Sequence, residues 1–226
     1  MLVPVGPELW TAEHLLGLPG GVHLPGRMTV ARLPGGRLLL YSPVPLTDAL
    51  GATVDVLGAV TWLVAPSRQH HRFVAPWLAR YPGAALHGVE GLARKRPELP
   101  WRALDPAAPP FGEALEAQLV AGAPGMNEVV LFHRPSRSLL VADLLFNVTR
   151  PANRATHALL WLTGTRGQLA MSRVWRLYTR DRPALKASLE RVLAWDFARL
   201  LPGHGAVFAG SDPRAAARAA LAWALR

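Results

Sequence analysis

The run AVTWLVA (59–65) stops at a proline, and the turn P-S-R-Q-H-H (66–71) separates it from RFVAPWLARYP (72–82). An uncharged apolar run of this length reads as a strand buried on both faces. The segment after the turn has the spacing of an amphipathic helix over 72–81, with Trp77 on its apolar side. A doubly covered strand running through a short turn into a surface helix constrains the chain to a layered α/β architecture. In such architectures the strand-to-helix turn is where functional residues collect. This one carries two adjacent histidines, His70 and His71. The stretch alone leaves them open as metal ligands, acid–base groups or turn residues.

The rest of the chain supports that class. RMTVARL (27–33) and GRLLLYS (36–42) are β-like runs split by Pro34-Gly35-Gly36, a hairpin signal. A helix is expected over 46–58 with Thr47 or Asp48 as its N-cap, a short strand over 84–88 and a short helix over 89–99. The tract DPAAPPFG (105–112) is a loop. Strands return at 115–122, 127–133 and 138–143, joined by the turn-like APGM and RPSR. A helical region is expected over 152–195, including a strong helix over 183–196, then a strand-like stretch with a Pro-Gly-His-Gly turn over 197–208, and a last helix over 212–226 with Asp212 as N-cap. Trp77 and Trp161 sit at helical spacing among apolar neighbours and are assigned to the core. Two sets of strands, each with helices, predict one α/β domain over residues 1–226, within which 1–23 is an N-terminal extension of undefined structure.

Composition removes several function classes. There is no cysteine, which excludes disulfides, thiolate nucleophiles and cysteine zinc sites. GxGxxG, GxxxxGK[ST] and GxSxG are all absent, so dinucleotide, P-loop and nucleophile-elbow readings have no support. The net charge of +10 raises a nucleic-acid reading, but the arginines are scattered and only Lys95 and Lys186 are lysines. A nucleic-acid partner is disfavoured. No secretory leader or bilayer-length apolar run is seen, so a cytoplasmic location without a membrane partner is expected.

Three features together carry a resemblance: the strand and turn LVAPSRQHH, the strand pair EVVLFHRPSRSLLVADLLF ending in aspartate, and the late LLPGHG. In this order the chain resembles the metallo-β-lactamase fold superfamily, and within it a branch of unknown function. The resemblance implies a four-layer αββα sandwich. In the superfamily the turn reads H-x-H-x-D-H and holds two metals. Laid over it, Pro66 and Arg68 stand where the leading histidines would be, His70 where the aspartate would be, and His71 at the last histidine. Met126 takes the place of a further histidine, Asp143 that of the bridging aspartate, and His204 that of the final histidine. The resemblance thus implies that the first metal position, at Pro66, Arg68 and Met126, is lost, because proline offers no side-chain ligand and arginine is a permanent cation. It implies a second position with His70, His71, Asp143 and His204 as ligands, suited to zinc first and to iron or manganese.

Two functions follow from the resemblance. One is a mononuclear metal-dependent hydrolase of a small anionic ester, lactone or thioester, with Asp143 and Arg68 as catalytic groups and Arg72 as a weaker anion contact. The other is a metal-free member of the fold that binds a small ligand or a protein. The expected partner is a small anionic molecule, and self-association is left open. Asp143 and His204 also have ordinary roles, as residues that bond the backbone of their own turns.

Overall fold

In the computed structural model, which describes residues 1–226, the chain begins with two strands, β1 (Val3–Gly6) and β2 (Leu9–Leu18). Residues 1–23 are therefore part of a sheet and not an undefined extension. The sequence of β2, LWTAEHLLGL, lacks the β-branched enrichment of a strand, and its conformation is fixed by its neighbour. It pairs antiparallel with β3 (Val22–Leu33) from Leu9↔Ala31 to Leu18↔Val22. The expected strand at 27–33 is the second half of this longer one.

β4 (Arg37–Tyr41) follows through the glycine turn, then α1 (Asp48–Leu57), whose cap Thr47 accepts from the Leu50 N–H at 3.2 Å. Next come β5 (Ala59–Ala65), α2 (Val74–Arg80), β6 (Ala85–Gly88), α3 (Leu92–Lys95) and β7 (Arg102–Ala103). These strands form one seven-stranded sheet in sequential order. It is antiparallel from β1 to β4 and parallel from β4 to β7.

The second half of the chain supplies β8 (Leu115–Val120), β9 (Glu128–His133) and β10 (Ser138–Leu140), then the short β11 (Phe146–Asn147). The expected helical region is three helices, α4 (Arg154–Thr163), α5 (Val174–Tyr178) and α6 (Arg182–Ala194). β12 (Arg199–Leu201), β13 (His204–Gly205), α7 (Pro213–Ala220) and α8 (Ala222–Leu225) complete the chain. The order β12-β10-β9-β8 makes a second, four-stranded sheet, and β11 pairs with β13 beside it.

All of β9 is buried, as a strand covered on both faces must be. Its Val129 and Leu131 join Leu39 and Leu63 of the first sheet in one core. Val130 and Phe132, on the other face, join Leu185, Leu189 and Val192 of α6. The sheets are stacked with helices outside, giving the expected four-layer α/β/β/α sandwich. Trp77 is fully buried and donates to the Val44 carbonyl at 2.7 Å. Trp161 is 62% exposed, so its assignment to the core fails. On α4 the inward stripe is carried by Thr156 and Leu160, which leaves Trp161 one step round the helix towards solvent. No helix is long and apolar enough to cross a membrane.

Candidate metal centre

β5 ends at Ala65, and the turn after it is organised by Ser67, which is fully buried. Its Oγ accepts from the N–H groups of Gln69 and His70 at 3.2 and 3.3 Å. This local bonding fixes the direction in which His70 leaves the turn. Asp143 follows β10, and His204 opens β13 after a Pro-Gly turn. Gly203 in that turn is required by close approach: a Cβ there would lie 2.7 Å from the Ala142 carbonyl oxygen and 3.1 Å from Cε1 of His70. Gly205 has φ 97°, a conformation that side chains other than hydrogen rarely adopt.

Together these turns place His70, Asp143 and His204 at one end of the two sheets, with ligand atoms all within 4.8 Å of one another. Oδ1 of Asp143 is 3.4 Å from Nε2 of His70 and 3.3 Å from Nε2 of His204. Oδ2 accepts from Ser67 Oγ at 3.3 Å. The backbone of Asp143 is held as well. Its N–H donates to Glu128 at 2.8 Å, and its carbonyl accepts from the Trp175 indole at 2.8 Å. Glu128 is fully buried and also accepts from the Ala142 N–H at 2.8 Å. Burial and the nearby Asp143 charge push Glu128 up to about 8, against the pull of those N–H groups. For Asp143 itself, burial acts upward and is outweighed by the His70 charge and the hydrogen bonds of His204 and His70, which hold it well below the usual carboxylate range.

The outer nitrogens of both imidazoles are also engaged. Nδ1 of His204 is 2.8 Å from the Pro25 carbonyl, which can only accept, so this nitrogen carries a proton. Nδ1 of His70 is 2.6 Å from Ser42 Oγ. Ser42 reaches it from the end of β4 through a left-handed backbone, φ 57°. With the Nδ1 proton fixed, a neutral His204 presents the bare lone pair of Nε2 to a carboxylate oxygen 3.3 Å away. Two electron pairs so placed need a cation between them, either a second proton on the ring or a metal ion. Imidazoles whose other nitrogen is held by a carbonyl or hydroxyl, grouped round a carboxylate, make a donor set that fits a divalent metal.

The adjacent His71 is not in this cluster. It is buried beside Lys95 and Arg96 of the α3 segment, with Nδ1 unpartnered. Burial, then those two charges, push its pKa down to about 4. The Ser67-centred turn sends one histidine to each side, so alignment with a motif in which both bind metal does not carry over to the side chains. Arg68 is likewise turned away from the cluster. Its guanidinium donates to the Pro124 carbonyl at 3.4 Å, and its own carbonyl accepts from Lys95 at 2.9 Å. Met126 is a core side chain packed with Trp175 and Leu185.

A cavity of about 290 Å³ opens over the cluster. Its cationic lining comes from Arg27 and Arg72, not from Arg68. Arg27 is 3% exposed, donates to the Pro202 carbonyl at 2.7 Å and pairs with Glu13. Sequence reasoning did not single out Ser42, Ser67, Glu128 or Arg27. Glu128, a charged residue heading the apolar run VVLF of β9, was the one local signal available.

Comparison with solved structures identifies the class: the chain has the metallo-β-lactamase fold. It superimposes on the metal-soaked flavodiiron core from Synechocystis sp. PCC6803 with a TM-score of 0.67 and 10% identity, covering 99% of this chain and 60% of that one. The chain thus spans 60% of the flavodiiron core's length. A metallo-β-lactamase from Hirschia baltica gives a TM-score of 0.64 at 12% identity, with 100% and 97% covered. The metallo-β-lactamase FIM-1 from Pseudomonas aeruginosa, in a mono-zinc form, gives 0.62 at 12% identity, with 100% and 96% covered. More particularly, residues 7–93 match DUF4336, a domain of unknown function. No curated protein matches in sequence.

Proposed function

We propose that the protein is a mononuclear metal-dependent hydrolase of a small anionic ester, lactone or thioester, with His70, Asp143 and His204 as the metal ligands. The observation that carries this reading is the bond from His204 Nδ1 to the Pro25 carbonyl, which leaves Nε2 facing Asp143 at 3.3 Å and the cavity beyond. A bound divalent ion would lower the pKa of its water towards ~7 and polarise a carbonyl oxygen. The chain's own residues set the stage for that chemistry. Ser42 and Pro25 orient the rings, Ser67 and Glu128 fix Asp143, and the apolar wall of the cavity limits water. Three protein ligands would leave a bound ion a further position for water or substrate, as catalytic sites do and structural ones do not. The mono-zinc form of the structurally similar FIM-1 supports a single-ion arrangement on this fold. Zinc suits the nitrogen-rich set best, with iron and manganese as the other candidates.

A second reading, a metal-free ligand-binding protein, is favoured by the same contacts if His204 is doubly protonated and paired with Asp143. Elemental analysis of untagged protein separates the two. The hydrolase reading expects close to one equivalent of zinc, iron or manganese, reduced at least about tenfold in affinity in His204→Ala or Asp143→Asn. Arg68→Ala should keep full metal occupancy. Metal-free protein that takes up none of these ions in equilibrium dialysis would leave the binding-protein reading standing.

A further inference from the structure

We infer that the cavity takes an amphipathic monoanion, a small anionic head carried on an apolar chain, with Arg72 reading the head and the β2–β3 hairpin holding the chain. The inference rests on the hydrolase reading for what is cleaved, and on the cavity alone for what is bound.

The apolar surface has a definite origin. Strand alternation along β2 turns Leu16 and Leu18 to the cavity, while Leu15, the residue before Leu16, is 51% exposed. Leu24 of β3 is paired directly with Leu16, so their side chains lie side by side on one face. On the opposite side Phe146 stacks on the His204 ring, with centroids 4.8 Å apart and planes at 18°. Apolar surface therefore reaches the candidate metal ligand itself, at the Phe146 ring. A purely polar substrate would bury its groups there without partners.

The charge on the cavity is just as specific. Its carboxylate, Asp143, is committed to Ser67 and the two histidines. Arg27 has its charge paired with Glu13 and donates to the Pro202 carbonyl, with only its buried Nε left without a partner. Arg72 alone among the lining cations makes no ion pair or hydrogen bond within the chain, and its guanidinium lies 5.9 Å from the centroid of the Phe73 ring. One uncommitted cation at an apolar cavity selects for a single negative charge and against a cation. A cavity of about 290 Å³ sits at the lower end of small-molecule sites, roughly 300–1,000 Å³. The ligand is a small molecule and not a polymer.

The test uses the full, untagged chain stripped of metal with EDTA, titrated calorimetrically with octanoate, butyrate and octyltrimethylammonium. Octanoate should bind at least about tenfold more tightly than butyrate because its longer chain leaves water. Octyltrimethylammonium should show no saturable binding. Arg72→Ala, at an exposed position, should weaken octanoate at least about tenfold without changing the circular dichroism spectrum. Leu16→Ser should shrink the octanoate preference to about threefold or less. Equal affinity for octanoate and butyrate, or unchanged octanoate affinity in Arg72→Ala, overturns the inference. Metal content is measured on a separate unstripped sample, so the two readings fail independently. Metal-free protein that still prefers octanoate sinks the hydrolase alone, and metal-loaded protein indifferent to chain length sinks the amphipathic anion alone.

Discussion

His133 ends β9, at the opposite end of that strand from Glu128. Its Nδ1 is 2.7 Å from Ser136 Oγ, and its Nε2 is buried with no partner. Burial pushes its pKa down to about 4, against the opposing charge of Glu8. In the unfolded chain the imidazole titrates near ~6.5. Between those values the unfolded state binds more protons, so stability is full above about 6.5 and is lost as the pH falls towards about 4. His133→Gln should remove this loss. Urea melts of the two proteins at neutral and mildly acidic pH should differ in their pH slope by about 2–3 kcal/mol in total, with the variant the flatter. Other titrating groups remain in both proteins, so the difference isolates this ring. Single residues were also where the sequence was least legible. Its pattern placed Asp143 and His204 but could not say whether His70 or His71 faces the cluster, because that depends on the Ser67 hydrogen bonds. Ser42 and Pro25, which fix the two imidazoles, lie far from them along the chain, and no local pattern marks them.

At the level of elements, α4 and the β2–β3 hairpin form a unit through Asn153. Its Oδ1 caps α4 by accepting from the Thr156 N–H at 2.9 Å. Its Nδ2 reaches the hairpin at the Gly21 carbonyl and at His23, both at 2.9 Å. Asn153→Ala should therefore cost about 1–2 kcal/mol, more than an isolated cap, and should loosen the hairpin that lines the cavity. Hydrogen exchange should show faster turnover at residues 18–24 in the variant than in the parent. Elements with a strong local pattern were legible: β5, β9, α6 and the capped α1 all fall where periodicity and cap residues put them. β2 was not, because its strand character comes from pairing with β3 and not from its own composition. Within the helical region 152–195 only the last helix had bounds in the sequence, because the interruptions at Gly164 and around residues 179–181 are set by tertiary bonds such as Arg173 N–H to the Thr163 carbonyl at 2.8 Å.

For the whole molecule, the order of elements was more informative than any motif, since the sandwich is defined by which strands recur and where helices separate them. A metal held at a hundredfold excess over its Kd would add ~2.7 kcal/mol to that assembly. Chelation should then lower the melting temperature by roughly 5–10 °C. The His204→Ala protein should melt at the same temperature with and without EDTA. One topological fact has a temporal meaning. The strand that leads to His204, β12, lies at the edge of its sheet and joins by parallel pairing with β10, which precedes it by more than half a hundred residues. Until that last strand docks, the carboxylate of Asp143 has only one of its two imidazoles. A chain emerging in order from the ribosome cannot complete the cluster early, so an occupied centre would certify that synthesis has passed His204 and that the second sheet has closed.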